Sequence, residues 1–311
     1  MAAYLELYRV GKLRERVETA LSLLESCSVC PRSCGVNRLS GDIGKCRTSR
    51  QAIVSSYGAH FGEEAPLVGR YGSGTIFFAN CNLGCLFCQN YSISQLGEGH
   101  KVDKEELAYI MLSLQEKGCH NINLVSSTHV VPQILEALQM AVESGLHLPL
   151  VYNSGGYDSV ETLKILDGII DIYMPDMKYD DEETARELSG IRDYPEVDRA
   201  AIKEMHRQTG DLEISNDGVA QRGLMVRHLV LPQGLAGTKG IVHFLSQEIS
   251  RNTYVNIMAQ YRPCYKALQI PGLGRRISSA EFREALSSTQ EAGLSRLDRI
   301  HPTELLPILS E

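Results

Sequence analysis

The chain has no tryptophan, and aromatic residues fill only 6% of its 311 positions. It has no apolar run near the ~20 residues that a membrane-spanning helix needs. No membrane partner is expected. It has no basic excess either: 31 Lys and Arg stand against 38 Asp and Glu, for a net charge of −7. That balance argues against a broad nucleic-acid footprint and against a polybasic lipid contact. The opening MAAYLELYRVGKLRERVETALSLLESC mixes charged and apolar residues throughout. It lacks the apolar stretch of a signal peptide and reads as an amphipathic helix. A cytoplasmic location is the expectation.

Cysteine is present and clustered. Seven of the nine cysteines fall in two short segments. In a reducing compartment, clustered thiols more often bind metal than pair as disulfides.

Six apolar runs read as strands: TIFFA (75–79), NINLVS (121–126), LPLVYN (148–153), DIYMPDM (171–177), LMVRHLVL (224–231) and YVNIMAQY (254–261). Their length and β-branched content suit strands buried on both faces. Helical patterns separate them. DKEELAYIMLSLQEKG opens with the capping pair Asp103 and Glu106 and stops at Gly118. Six β–α units imply a parallel sheet with right-handed crossovers. An open doubly wound sheet and a partial barrel both fit that count. The expectation is an α/β chain with a partial (β/α)6 TIM-like barrel over residues 71–311. A helical, cysteine-rich extension over residues 1–70 precedes it. In either architecture, chemistry belongs to the loops after the strands' carboxyl ends.

The loop after the first strand reads NCNLGCLFCQN. It holds Cys81, Cys85 and Cys88 and no fourth cysteine. A structural zinc site normally takes four protein ligands. A 4Fe-4S cluster held by three thiolates keeps one iron free of protein, and that iron can chelate a small molecule. The missing ligand is then the functional feature.

This C-x3-C-x2-C spacing, with Phe87 just before the last cysteine, resembles the radical S-adenosylmethionine (SAM) superfamily. The segments CPRSCGVNR, HNINLVSSTHVVPQI, VYNSGGYDSVETLKILDGIIDIYMPDMKY and VRHLVLP are similar to the pyruvate formate-lyase-activating enzyme-like group within it. The resemblance implies a 4Fe-4S cluster that binds SAM through its open iron. It implies reductive cleavage of SAM to a 5′-deoxyadenosyl radical, which takes a hydrogen atom from substrate. It also implies an electron donor such as a flavodoxin or ferredoxin.

The same resemblance suggests further residues. Many radical SAM enzymes have a Gly-Gly-Glu stretch after the second strand, and it is absent here. Ser126 and Thr128 could supply oxygen atoms in its place. Asn153, Ser154 and Gly155 stand where related activases touch SAM, and a glycine pair permits close backbone approach. Asp176 and Lys178 alternate with apolar residues, so both can face one side. They resemble the Asp and Lys that contact SAM in the activases. Arg227 and His228 must face opposite sides, and the resemblance favours His228 near adenosine. At the end of the sixth strand, Gln260, Tyr261, Arg262 and Cys264 stand where substrate should lie; Tyr261 and Cys264 are the candidate catalytic residues, with Cys264 a hydrogen-atom donor to a product radical.

The first cysteine segment, CSVCPRSCGVNRLSGDIGKC, contains Cys27, Cys30, Cys34 and Cys46. Four thiols suit either a second iron–sulfur cluster or a zinc ion, because both accept four thiolates. Iron–sulfur is slightly favoured. Three functions compete: a radical SAM enzyme acting on a small molecule, an activase acting on a glycyl-radical partner protein, and a non-catalytic metal scaffold. A scaffold gains nothing from an open iron.

Overall fold

Capping sets several helix boundaries. Asp103 accepts the Glu106 amide at 2.8 Å and starts the helix Lys104–Glu116. Ser278 and Glu281 form a reciprocal capping box at Ser279–Glu291. The computed structural model describes residues 2–299.

Nine strands form in chain order: β1 Ala52–His60, β2 Ser73–Phe78, β3 His100–Val102, β4 Ile122–Val125, β5 Leu150–Ser154, β6 Ile172–Pro175, β7 Glu213–Ile214, β8 Ala220–Leu229 and β9 Tyr254–Met258. Six of them, β2-β4-β5-β6-β8-β9, are parallel neighbours. These are the six runs that read as strands. Every side chain of β5 and β6 is buried. Each such Val, Leu or Ile contributes roughly 1.5–3 kcal/mol of apolar burial.

The strand order never reverses along this parallel array, so a doubly wound switch point is absent. The sheet is open: among the described residues, β9 pairs with β8 and not with β2. The architecture is thus an α/β fold with a mostly parallel open sheet.

One strand was not foreseen. Segment AIVSSYGAH forms β1, antiparallel to β2 and β3. Its small and polar residues alternate weakly, and its outer half is largely exposed. The expected domain boundary at 70/71 falls between β1 and β2, which are paired through the register Val54–Phe78 to His60–Ser73. The amphipathic N-terminal helix Lys12–Ser22 buries Leu13, Val17 and Ala20. It packs against Val131–Glu143 and Val160–Ile165 on the outside of the sheet. No described helix is long and apolar enough to cross a membrane.

Candidate functional site

The carboxyl ends of all six parallel strands open on one cavity of about 400 Å3. The loop after β2 brings Cys81, Cys85, Phe87 and Cys88. Ser126 follows β4, where its backbone takes φ +62°. That is a left-handed conformation rarely held by a serine and often found at functional turns. The end of β5 brings Asn153, Ser154 and Gly155. Asp176 and Lys178 follow β6, Arg227 comes from β8, and Gln260 and Arg262 follow β9.

The three thiols are neighbours, and each sulfur has a polar contact. Cys81 Sγ accepts the Leu83 amide at 3.4 Å. Cys85 Sγ accepts the Ser189 hydroxyl at 3.0 Å. Cys88 Sγ lies 3.1 Å from Ser94 Oγ. Burial pushes Cys81 up to about 12, against the Leu83 amide and with Cys85 and Cys88 adding to the rise. Burial and then Cys85 also raise Cys88. Cationic charge from a metal is what holds such sulfurs as thiolates.

The same cavity is lined by a chain of polar contacts. Lys178 Nζ donates to Asp176 Oδ2 at 2.6 Å, and Arg227 Nε donates to Asp176 Oδ1 at 2.7 Å. Arg227 Nη2 donates to Asn153 Oδ1 at 2.7 Å. Burial alone would raise the Asp176 carboxyl, but Arg227 and Lys178 outweigh it and hold the group below its usual range. Asp176 thus fixes two cations at the rim of one cavity.

The thiol loop packs closely on Gly155. A Cβ on Gly155 would meet Leu83 Cδ1 at 2.5 Å. Beneath, Ser154 is fixed by a residue that sequence reasoning did not single out. Asp158 accepts Ser154 Oγ at 2.5 Å, Thr128 Oγ1 at 2.7 Å and the Tyr152 hydroxyl at 2.8 Å. The signal for it was only a lone Asp in YDS.

Several expected residues lie elsewhere. Thr128 is buried on Asp158 and does not line the cavity. The face assignment on β8 reverses: Arg227 faces the cavity and His228 does not. His228 is buried, with Nδ1 2.7 Å from the Met177 carbonyl and Nε2 2.9 Å from Thr238 Oγ1. Burial pulls it down to about 4 despite those contacts. Tyr261 and Cys264 are also absent from the lining. Tyr261 donates to the Leu273 carbonyl at 2.8 Å and packs its ring edge against Phe87. Its flanking neighbours Gln260 and Arg262 line the cavity, in the irregular chain that follows β9 at Met258.

In the first cysteine segment, Cys27, Cys30 and Cys46 are buried, and Cys34 is partly exposed. Burial pushes Cys30 up to about 12, with smaller upward contributions from Cys46 and Cys27. Cys34 Sγ accepts the Lys45 amide at 3.4 Å. Asn82 joins the two regions: its side chain opposes the rise of the Cys30 thiol, and its Oδ1 lies 3.8 Å from Cys81 Sγ. Arg32 Nε reinforces the junction on the Asn82 carbonyl at 3.0 Å. Among the described residues, no group of three or more His, Cys, Asp or Glu is arranged to hold a single metal ion.

A family model described as the radical SAM superfamily matches residues 75–211. The uncharacterized protein MJ0674 of Methanocaldococcus jannaschii is 32% identical over 298 residues, spanning 93% of this chain and 82% of its own. The chain belongs to the radical SAM superfamily. A radical SAM methyltransferase from Sphaerobacter thermophilus shares the fold at a TM-score of 0.51 and 15% identity. The match covers 73% of this chain and 67% of that one.

Superfamily membership implies SAM-dependent radical chemistry with a 4Fe-4S cluster. The donor set suits a cluster: three thiols open on one cavity. Ligands of a cluster take separate irons and stand further apart than ligands of one ion.

Proposed function

We propose that Cys81, Cys85 and Cys88 hold the SAM-binding cluster, and that Asn153, Ser154, Gly155, Asp176, Lys178 and Arg227 position SAM beside it. The observation that carries this reading is the single cavity lined both by the three thiols and by the Lys178–Asp176–Arg227–Asn153 chain. Bound there, the reduced cluster and SAM would supply a 5′-deoxyadenosyl radical that takes a hydrogen atom from substrate. The protein's residues orient and shield. Asn153, Ser154 and Gly155 offer polar groups and close backbone approach. Lys178 and Arg227 offer cationic charge to a carboxylate, with Asp176 keeping both in place. Ser126 supplies oxygen where the Gly-Gly-Glu stretch is missing. The unreversed strand order supports reading the open sheet as the expected partial barrel.

A second, larger cavity adjoins the first, with a volume of about 1140 Å3. Room of that kind favours direct action on a small molecule over activation of a partner protein. The N-terminal cysteines form a second metal centre. The Asn82 contact between Cys30 and Cys81 favours an iron–sulfur cluster that passes electrons over a zinc ion that only folds the segment.

The test is anaerobic reconstitution with iron and sulfide, followed by reduction in the presence of SAM. Formation of 5′-deoxyadenosine and methionine is expected from the wild type and not from the Cys81→Ala, Cys85→Ala, Cys88→Ala triple variant. Cleavage that survives the triple change refutes the assignment.

A further inference from the structure

The second cavity adjoins the thiol-lined one along a set of shared residues. Val125, Asn153, Arg227, Met258 and Gln260 line both. The shared lining is partly apolar through Val125 and Met258. The far side is acidic, and its acids come from the turn after β1 and from the segment after Ser279–Glu291.

Most of those acids are already satisfied. Glu63 Oε1 lies 3.2 Å from His60 Nδ1. Asp298 Oδ1 accepts the Tyr254 hydroxyl at 2.6 Å and the Ala65 amide at 3.3 Å. Glu64 differs. It is only 4% exposed. Its Oε1 accepts Asn256 Nδ2 at 2.9 Å, but its Oε2 is buried without a hydrogen-bond partner among the described residues. Burial raises its carboxyl above the usual range, and Arg227 opposes that rise. Arg227 does not neutralise it directly, because its bonds go to Asp176 and Asn153. Of the other basic groups on the lining, Arg299 is exposed and His60 is held by Glu63.

A buried carboxylate oxygen without a partner is costly, and a native fold keeps one where a ligand supplies the donor. We propose that this cavity is the substrate site and takes a small alkylammonium compound, with its ammonium on Glu64 and its carbon chain against Val125 and Met258. This rests on the reading that SAM occupies the first cavity, since the shared lining then presents substrate carbon to the reacting centre. An ammonium fits better than a hydroxyl because Glu63 and Asp298 add negative potential to the same cavity. A carboxylate substrate is disfavoured for the same reason.

The test is calorimetry on the full-length holoenzyme, reconstituted anaerobically and saturated with SAM. The probes are n-pentylammonium, n-pentanol and n-pentanoate. Pentylammonium is expected to bind about tenfold or more tightly than pentanol, as suits a hydrogen bond to a charged group. Pentanoate is expected to bind least. Glu64→Gln should bring pentylammonium down to the pentanol level, with iron content and SAM affinity unchanged. Glu64→Asp, which keeps the charge, should retain part of the preference. Equal binding of the three probes by wild type overturns the inference, whatever the variants do. So does a preference that survives Glu64→Gln. SAM binding in the same samples separates the failures: SAM bound without amine preference removes this inference alone, and no SAM binding removes the underlying reading too.

Discussion

Cys81, Cys85 and Cys88 hang from the end of a central parallel strand and open on a cavity. Cys27, Cys30, Cys34 and Cys46 sit on a segment whose regular structure is one short 3-10 turn, Arg38–Ser40. Each sulfur of the first set has a hydrogen-bond partner: Leu83, Ser189 or Ser94. In the second set Cys30, buried like Cys27 and Cys46, feels both of those thiols, and Cys34 rests on the Lys45 amide nearer the surface. The contrast teaches that a scaffold strand can pre-place a cysteine loop, whereas a segment without strands has no such support and would gain order from a bound metal.

The sharpest way to break this comparison is to remove each set in turn. The triple Cys81, Cys85, Cys88 alanine variant should lose about four irons and all SAM cleavage. Its fold should persist, because β2 and its neighbours do not depend on the loop. Circular dichroism and iron analysis check both halves. The four-alanine variant of the N-terminal set should keep SAM cleavage chemistry at the first cluster but lose a second metal signal. Its segment should also become protease-sensitive.

A smaller effect tests the polar side of the cavity. Asp176→Ala leaves Lys178 and Arg227 without their shared partner. Breaking such a pair should cost about 3–5 kcal/mol of stability. SAM binding should weaken roughly tenfold or more, with the cluster still assembled. Denaturant midpoints and SAM titration measure the two losses. Unchanged SAM affinity would reduce the triad to a structural role.

A third measurement uses acid. His129 ties the regions together: its ring nitrogen Nε2 lies 3.1 Å from the Ala79 carbonyl, and its own carbonyl accepts Arg38 Nη1 at 2.9 Å. Burial, then Arg38, lowers its pKa to about 3. An unfolded histidine takes a proton near pH ~6.5. The unfolded chain therefore binds more protons than the folded one between about pH 6.5 and about 3, and stability falls as pH drops through that window. The loss is on the order of 5 kcal/mol if the whole window is crossed. Urea midpoints at pH 7.5 and pH 5 should differ, and His129→Gln should shrink the difference.

The smallest effect separates members of the second set. Cys34→Ala should lower retained metal less than Cys30→Ala, because Cys30 lies at the Asn82 junction and Cys34 lies nearer the surface. Equal losses would show that all four thiols are equivalent ligands.

The residues themselves determined the six parallel strands and the cysteine triplet. Long β-branched runs bury on both faces and need no partner to be legible, and three thiols within eight positions are a local signal. The same holds for Asp176 and Lys178, whose spacing of two puts them on one side. Only the tertiary structure decided which of Arg227 and His228 faces the cavity, because alternation gives opposite faces but not which face is inside. It also decided that Tyr261 and Cys264 stay out while Gln260 and Arg262 enter, since the chain leaves β9 at Met258 and no longer follows strand alternation. The antiparallel β1 was illegible for a similar reason. Its small and polar residues carry little pattern, and its place is set by the β2 edge on which it pairs. Glu64 was illegible too, because in the sequence it is one acid beside another before a proline. Burial against Asn256 comes from 192 residues away, and no local pattern records a contact of that range.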